Sequence, residues 1–147
     1  MNSLEIKHVP VLAEILAEQI RLPQDGVMVD ATFGQGGHSC LFGQNLGSEG
    51  VIVGLDVDKN LIQGAHTKFN QLACRKILIQ ANFAQIAEVL ENQDIAAVDF
   101  VLADLGVCSS QLAETETGLS FQSNIPLDMR LDKSLRITAA DIVNKTD

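Results

Sequence analysis

The residues best suited to chemistry in this chain stand in three places. A glycine-rich stretch, Asp30-Ala-Thr-Phe-Gly-Gln-Gly-Gly-His38, follows the apolar Val27-Met28-Val29, and two further carboxylates, Asp56 and Asp104, each close an apolar run. Gly34, Gly36 and Gly37 permit positive φ and let backbone approach a ligand closely. An apolar strand, a glycine turn and a helix start, in that order, make the nucleotide-site geometry of an open α/β sheet.

The glycines alone do not choose the nucleotide. A dinucleotide fingerprint reads G-x-G-x-x-G, but here Gly34-x-Gly36 is followed by Ser39 where the helix-packing glycine belongs. Asp56 stands ~20 residues beyond the loop, where a carboxylate accepts hydrogen bonds from ribose hydroxyls. NAD and S-adenosylmethionine (SAM) sites share that acid. Pyrophosphate seeks a bare helix N-terminus, whereas SAM carries no phosphate and a cationic sulfonium. An acid beside the loop, such as Asp30, suits the cation better. The motif leans toward SAM, with NAD as the alternative. The plainest alternative is a tight turn and a strand-end cap.

These groups need a scaffold. Pro10 can open a helix, with Val11, Leu12, Ile15, Leu16 and Ile20 following at helical spacing. Turn residues from Leu22 to Gly26 end it. The pattern then predicts strands Val27–Asp30, Val51–Asp56, Lys76–Gln80 and Ala97–Asp104. Helices His38–Leu46, Lys59–Asn70 and Phe83–Glu91 alternate with them. Such alternation predicts βαβ units and a parallel sheet. Right-handed crossovers put all strand C-termini on one edge, which would carry the glycine loop, Asp56, Asn82-Phe83 and Asp104. From Leu105 to about Ile137 no period is visible, and a final helix is expected over Ala139–Asn144. So long an irregular stretch tends to be functional or to belong to something larger.

Composition narrows the classes further. The chain has 147 residues, 46% hydrophobic and 20% charged, as expected of one globular domain. Its net charge of −9 disfavours non-specific binding to a phosphate backbone, which needs clustered Lys and Arg. Cys40, Cys74 and Cys108 form no CxxC pair and no metal-ligand spacing, so free thiols are expected and no metal site. No apolar run is long enough to span a membrane, and the N-terminal residues, with Glu5 and Lys7 close together, lack the basic-then-apolar pattern of a signal peptide. The reading is a cytoplasmic protein.

Several blocks, taken together, carry a resemblance. They are His8-Val-Pro-Val-Leu12, the loop from Asp30 to Ser39, Gly54-Leu-Asp-Val-Asp58, Asp104-Leu-Gly-Val-Cys-Ser-Ser-Gln-Leu112, Gly118-Leu-Ser-Phe121 and Pro126-Leu-Asp-Met-Arg130. In them the chain resembles the bacterial 16S ribosomal RNA cytosine-N4 methyltransferases of the MraW/RsmH type, from His8 to about Val143. The block from Asp104 to Arg130 is the most family-specific. The resemblance implies a Rossmann-like class I SAM-dependent methyltransferase fold, here its first four parallel strands. Residues 1–115 would be the SAM-binding domain, and 116–147 the start of an inserted helical substrate domain. It implies SAM contacts at Gly36, Gly37 and His38, with Asp56 as the ribose acid. Phe83 would lie on the adenine side, and Asp104 and Gln111 would be the last contacts. The implied partner is 16S rRNA in the small ribosomal subunit. No catalytic residue is assigned.

Each of these residues also has a plainer reading. Phe83 suits a core aromatic, Gln111 a solvated loop residue and His38 a polar helix start. The chain departs from the family pattern at Cys108 (usually serine), Ser110 (usually proline), Ala113 (usually acidic) and Asn124-Ile125 (usually Asp-Gly). Family chains continue through the insert and on into further strands, so this sequence reads as a fragment or a truncated gene product, with an uncovered edge on the fourth strand. In the implied reaction a cytidine amine attacks the methyl carbon in line. Asp104, or carbonyls of Leu105-Gly106-Val107, would accept that amine's hydrogen bonds, and the base must be unstacked to reach the methyl. The rival readings are a SAM-binding module without methyl transfer and an NAD-dependent oxidoreductase.

Overall fold

The computed structural model describes residues 10–107, 111–112, 117–122 and 124–145, the side chains of 66–68 excepted. It divides into two compact units, the first ending at Asp104 and the second beginning at Leu105.

The first unit is built on four parallel strands: β1 (Val27–Asp30), β2 (Val51–Asp56), β3 (Arg75–Gln80) and β4 (Phe100–Leu102). Their order is β3-β2-β1-β4. The chain steps outward from β1 to β3, then crosses back to place β4 on the other side of β1. The crevice between β1 and β4 is therefore the topological switch point, where open α/β sheets bind ligands. In register, Asp30 pairs with Gly54 and with Leu102, and Asp56 pairs with Gln80. All four C-termini thus reach one edge, as the alternating pattern predicts.

Alternation along β2 feeds two cores. Ile52 packs with Phe33, Ile62, Ala65, Phe69 and Cys74 on the side of α3 (Lys59–Phe69). Val53 and Leu55 pack with Val29 and Val89 on the side of α4 (Ile86–Asn92). Burying each large side chain of this kind contributes about 1.5–3 kcal/mol. Cys40 and Cys74 take part in no disulfide among the described residues, Cys74 being buried, while Cys108 lies outside the described residues.

Several elements are shorter than the sequence predicts, each for a local reason. Helix α1 spans Ala13–Gln19 rather than opening at Pro10, because Leu12 turns the chain with φ 54°. Its apolar Val11, Leu12 and Ile15 are exposed. Helix α2 spans Gly37–Gly43. Beyond it the predicted helix tightens, with Asn45 N–H donating to Phe42 and Leu46 N–H to Gly43, the i→i+3 pattern of a frayed end. The helix expected from Phe83 starts as a 3₁₀ turn, Phe83–Gln85, under an Asn82–Gln85 capping box.

Strand β4 keeps only three residues of the predicted Ala97–Asp104. Side chains replace its ladder at both ends. The Asp99 carboxylate accepts the Val27 N–H at 2.8 Å, and the Thr32 hydroxyl accepts the Asp104 N–H at 2.7 Å. Only β1 pairs with β4 among the described residues.

In the second unit, the described residues between Leu105 and Ile137 form turns and bends, apart from helical Gln111-Leu112. The Pro126–Arg130 block organises them. Asp128 grips Arg130 through both carboxylate oxygens, at 2.5 and 2.9 Å, and also takes Lys133. These cations hold its carboxyl well below the usual range. Its backbone carbonyl receives the Ala139 N–H at 2.9 Å, docking the start of α5 (Ala139–Lys145). Thr138 and Asp141 cap that helix reciprocally. Gly118, at φ 71°, lies where a Cβ would meet the Pro126 carbonyl at 2.6 Å.

Candidate cofactor site

The glycine loop is pinned to the ends of three strands. Phe33 N–H donates to the Leu55 carbonyl, and the Phe33 ring fills the space left by Gly54, whose absent Cβ would lie 2.4 Å from it. That ring packs on Phe69 at 5.2 Å between centroids. Gly36, at φ 73°, fits beneath both rings, since a Cβ there would approach Phe69 to 2.5 Å and Phe33 to 2.7 Å. Gly37 leaves room for the Pro10 ring, 2.5 Å from where its Cβ would stand. These packing demands account for the glycines at Gly36 and Gly37 before any ligand is considered.

Three carboxylates surround this loop, in different states. Asp30 is 1% exposed, its Oδ2 accepting from the Ser39 hydroxyl at 2.6 Å and its Oδ1 from the Thr32 N–H at 3.3 Å. Burial raises its pKa, and the Ser39 bond partly offsets the rise. The carboxyl expected to face a cation is thus turned into the protein. Ser39, at the position of the missing third glycine, is its internal partner.

Asp56 is half-buried. It accepts the Gly34 N–H at 2.7 Å and the Asp58 N–H at 2.9 Å, one on each oxygen. Burial again raises its pKa, and these two donors pull it back. The Val57 N–H also bears on this carboxylate, and of the about four acceptor positions a carboxylate offers capacity for a further donor remains. Asp104 is exposed, its backbone tied to Thr32.

Phe83 is 49% exposed, so the core-aromatic reading fails. Asp56 and the turn before Phe83 are joined directly, the Ala81 N–H donating to the Asp56 carbonyl at 3.0 Å. An exposed aromatic face thus follows the strand beside the ribose-type acid. His38 is buried at the start of α2, and its Nε2–H donates to the Val11 carbonyl at 2.9 Å. A carbonyl only accepts, so in the neutral ring Nδ1 is the acceptor. Gln111 belongs to the second unit and is 4% exposed, which overturns its reading as a solvated loop residue. Cys108, Ser110 and Ala113 lie outside the described residues.

The first unit therefore gathers Gly36, Gly37, His38, Asp56, Phe83 and Asp104 along the C-terminal edge of one sheet. A groove of about 220 Å³ opens beside the loop, lined by Gln35, Asn60, Leu61, Gly64 and Ala65. No group of acids, histidines and cysteines suited to a metal occurs among the described residues. No helix among them is long and apolar enough to cross a membrane.

Residues 5–147 match the MraW methylase family. The chain belongs to this family. Similar relatives include the ribosomal RNA small subunit methyltransferase H of Clostridioides difficile, 40% identical over 96% of this chain and 45% of that protein. The protein of the same name from Syntrophotalea carbinolica is 44% identical over 94% of this chain and 44% of that protein. The chain thus spans a little under half the length of these curated relatives. The crystal structure of a candidate rRNA-methylase from Clostridium thermocellum aligns with a TM-score of 0.51. It is 22% identical and covers 67% of this chain and 50% of that one, a likeness of fold. The MraW assignment agrees with the four-stranded parallel sheet and its switch point, and with a Rossmann-like methyltransferase architecture.

The sequence marked Ser39 only as the missing third glycine, and did not flag its hydroxyl or that of Thr32. Their signal was only a hydroxyl close to a strand-end aspartate, which is common in any loop.

Proposed function

We propose that this chain carries the SAM-binding part of an enzyme that methylates the N4 amine of a cytidine in 16S ribosomal RNA of the small subunit. Residues 1–115 would form the cofactor domain and 116–147 the beginning of the substrate-recognition domain. The observation that carries the reading is the pairing of Asp56 with the exposed Phe83 at adjacent strand ends beside the glycine loop. A carboxylate with acceptor positions to spare suits ribose hydroxyls. An exposed aromatic face suits an adenine, and stacking on it contributes about 1–3 kcal/mol.

The residues present fit SAM better than a pyrophosphate cofactor. The Gly34 and Gly36 N–H groups, which could cradle phosphate, already donate to Asp56 and to the Phe33 carbonyl. One carboxylate, Asp30, and no lysine or arginine stand in the loop from Asp30 to His38. These points count against an NAD-dependent oxidoreductase. Gly36, Gly37, His38, Asp56, Phe83, Asp104 and Gln111 would hold the cofactor, which when bound supplies an electrophilic methyl group.

The cytidine amine is a weak nucleophile because its lone pair is delocalised into the ring. The chain's task is therefore to orient it rather than to supply a strong base, and positioning alone contributes up to ~7–11 kcal/mol. The Asp104 carboxylate, exposed at the switch point, would accept a hydrogen bond from that amine.

Titration calorimetry with SAM and with NADH, beside methyl transfer from labelled SAM to 16S rRNA and small subunits, tests the reading. SAM binding with label in a cytidine supports it, and NADH binding without SAM binding sinks it. A second reading, SAM binding without transfer by these residues alone, is favoured by their matching only 44–45% of the relatives' length. It predicts heat with SAM and no labelled RNA.

A further inference from the structure

We infer that Thr32 is a positioning residue that sets Asp104 at the mouth of the β1–β4 crevice, an inference that rests on the cofactor-site reading above. The ladder between these strands shows how. Ala31 N–H donates to the Leu102 carbonyl at 2.8 Å, the last regular bond. With Asp30 paired to Leu102, an unbroken parallel ladder would next send the Asp104 N–H to the Ala31 carbonyl. It goes instead to the Thr32 hydroxyl at 2.7 Å.

The substitution has a geometric consequence. A side-chain acceptor stands away from the main chain, so β4 stays tethered while the loop after β1 peels off its edge. The crevice opens at the switch point, and Asp104 is held there without zipping into the sheet. Thr32 is itself fixed, because its N–H donates to the buried Asp30 carboxylate, which Ser39 anchors from α2. One short loop thus ties β4's exposed acid to β1 and α2, while Gly34 ties the same loop to Asp56. Removing the hydroxyl leaves the Asp104 amide to water, and its carboxylate moves with it.

The test uses Thr32→Val, nearly isosteric but without the acceptor, and Thr32→Ser, which keeps it. Amide hydrogen exchange at Asp104 and SAM affinity by calorimetry are read on the 147-residue chain. Thr32→Val is expected to speed Asp104 exchange about tenfold and to weaken SAM binding about tenfold, the scale of one net hydrogen bond. Thr32→Ser stays within about twofold of wild type on both, a rescue that a general loss of stability would not give. In an Asp104→Asn background, Thr32→Val should weaken SAM binding far less, as expected of coupled residues.

Wild-type exchange and affinity in Thr32→Val overturn the inference while leaving the cofactor site standing. So does a loss of equal size in the Asp104→Asn background. Wild-type protein that gives no heat with SAM overturns the cofactor-site reading itself, and the role of Thr32 in it.

Discussion

Replacing Ser39 with alanine tests the reading of the loop from the inside. Ser39 is fully buried, and its hydroxyl donates to a carboxylate that is 1% exposed, at 2.6 Å. A hydrogen bond to a charged group contributes about 1.5–3 kcal/mol. Without it, the one donor left to Asp30 among the described residues is the Thr32 N–H at 3.3 Å. The carboxylate can stay charged and underserved, or it can take up a proton. Holding a proton at pH 7 costs ~1.4 kcal/mol for each unit that the pKa lies below 7. Burial has already raised this pKa, so protonation limits the damage, and the expected loss at pH 7 is about 1.5–3 kcal/mol.

The pH dependence gives the sharper check. Asp30's folded pKa lies above its unfolded value, so the folded state binds the proton more tightly. Stability then falls as pH rises from the ordinary carboxylate range through the folded pKa. Removing the Ser39 donor raises the folded pKa further and extends that fall to higher pH. The difference between variant and wild type should be largest above this range and shrink below it. Urea unfolding of wild type, Ser39→Ala and Ser39→Gly at about pH 5 and about pH 8 measures it. Ser39→Gly would complete a G-x-G-x-x-G motif, yet it should be the less stable variant, because glycine in a helix costs about 1 kcal/mol more than alanine. A loss below about 0.5 kcal/mol at pH 8, or one of equal size at both pH values, would refute the argument.

Gly36→Ala combines a left-handed φ, costing about 1–2 kcal/mol, with overpacking against Phe33 and Phe69, typically 1–3 kcal/mol. Urea unfolding should therefore show a loss of about 2–5 kcal/mol. Phe83→Ala should change the unfolding midpoint little, because the ring is half exposed, yet weaken SAM binding about tenfold by calorimetry. A ribose-accepting Asp56 must be ionised, and burial raises its pKa. SAM affinity should thus decline as pH falls, beginning above the ordinary carboxylate range, and Asp56→Asn should flatten that profile.

The sequence by itself determined the strands, their alternation with helices and the edge on which the loop, Asp56 and Asp104 gather. Those follow from short-range hydrophobic periodicity and from the fixed hand of βαβ crossovers, both readable along the chain. Strand β2 occupies Val51–Asp56, as its apolar run predicts. Six motif blocks along the chain also pointed to the family, through the residues themselves.

Only the tertiary structure decided what each polar group does there. Asp30 and Asp56 are both strand-end acids, but one is sealed by Ser39 and the other keeps acceptor capacity. Nothing local distinguishes them, because burial is set by residues distant in the chain. Phe83 and Gln111 exchanged their plain readings for the same reason, the aromatic lying exposed and the amide buried. Strand β4 shrank to Phe100–Leu102 because hydroxyl and carboxylate acceptors from β1's loop and β4's own start displaced the ladder. Such substitutions join residues 72 positions apart, and a hydrophobic pattern carries no record of them.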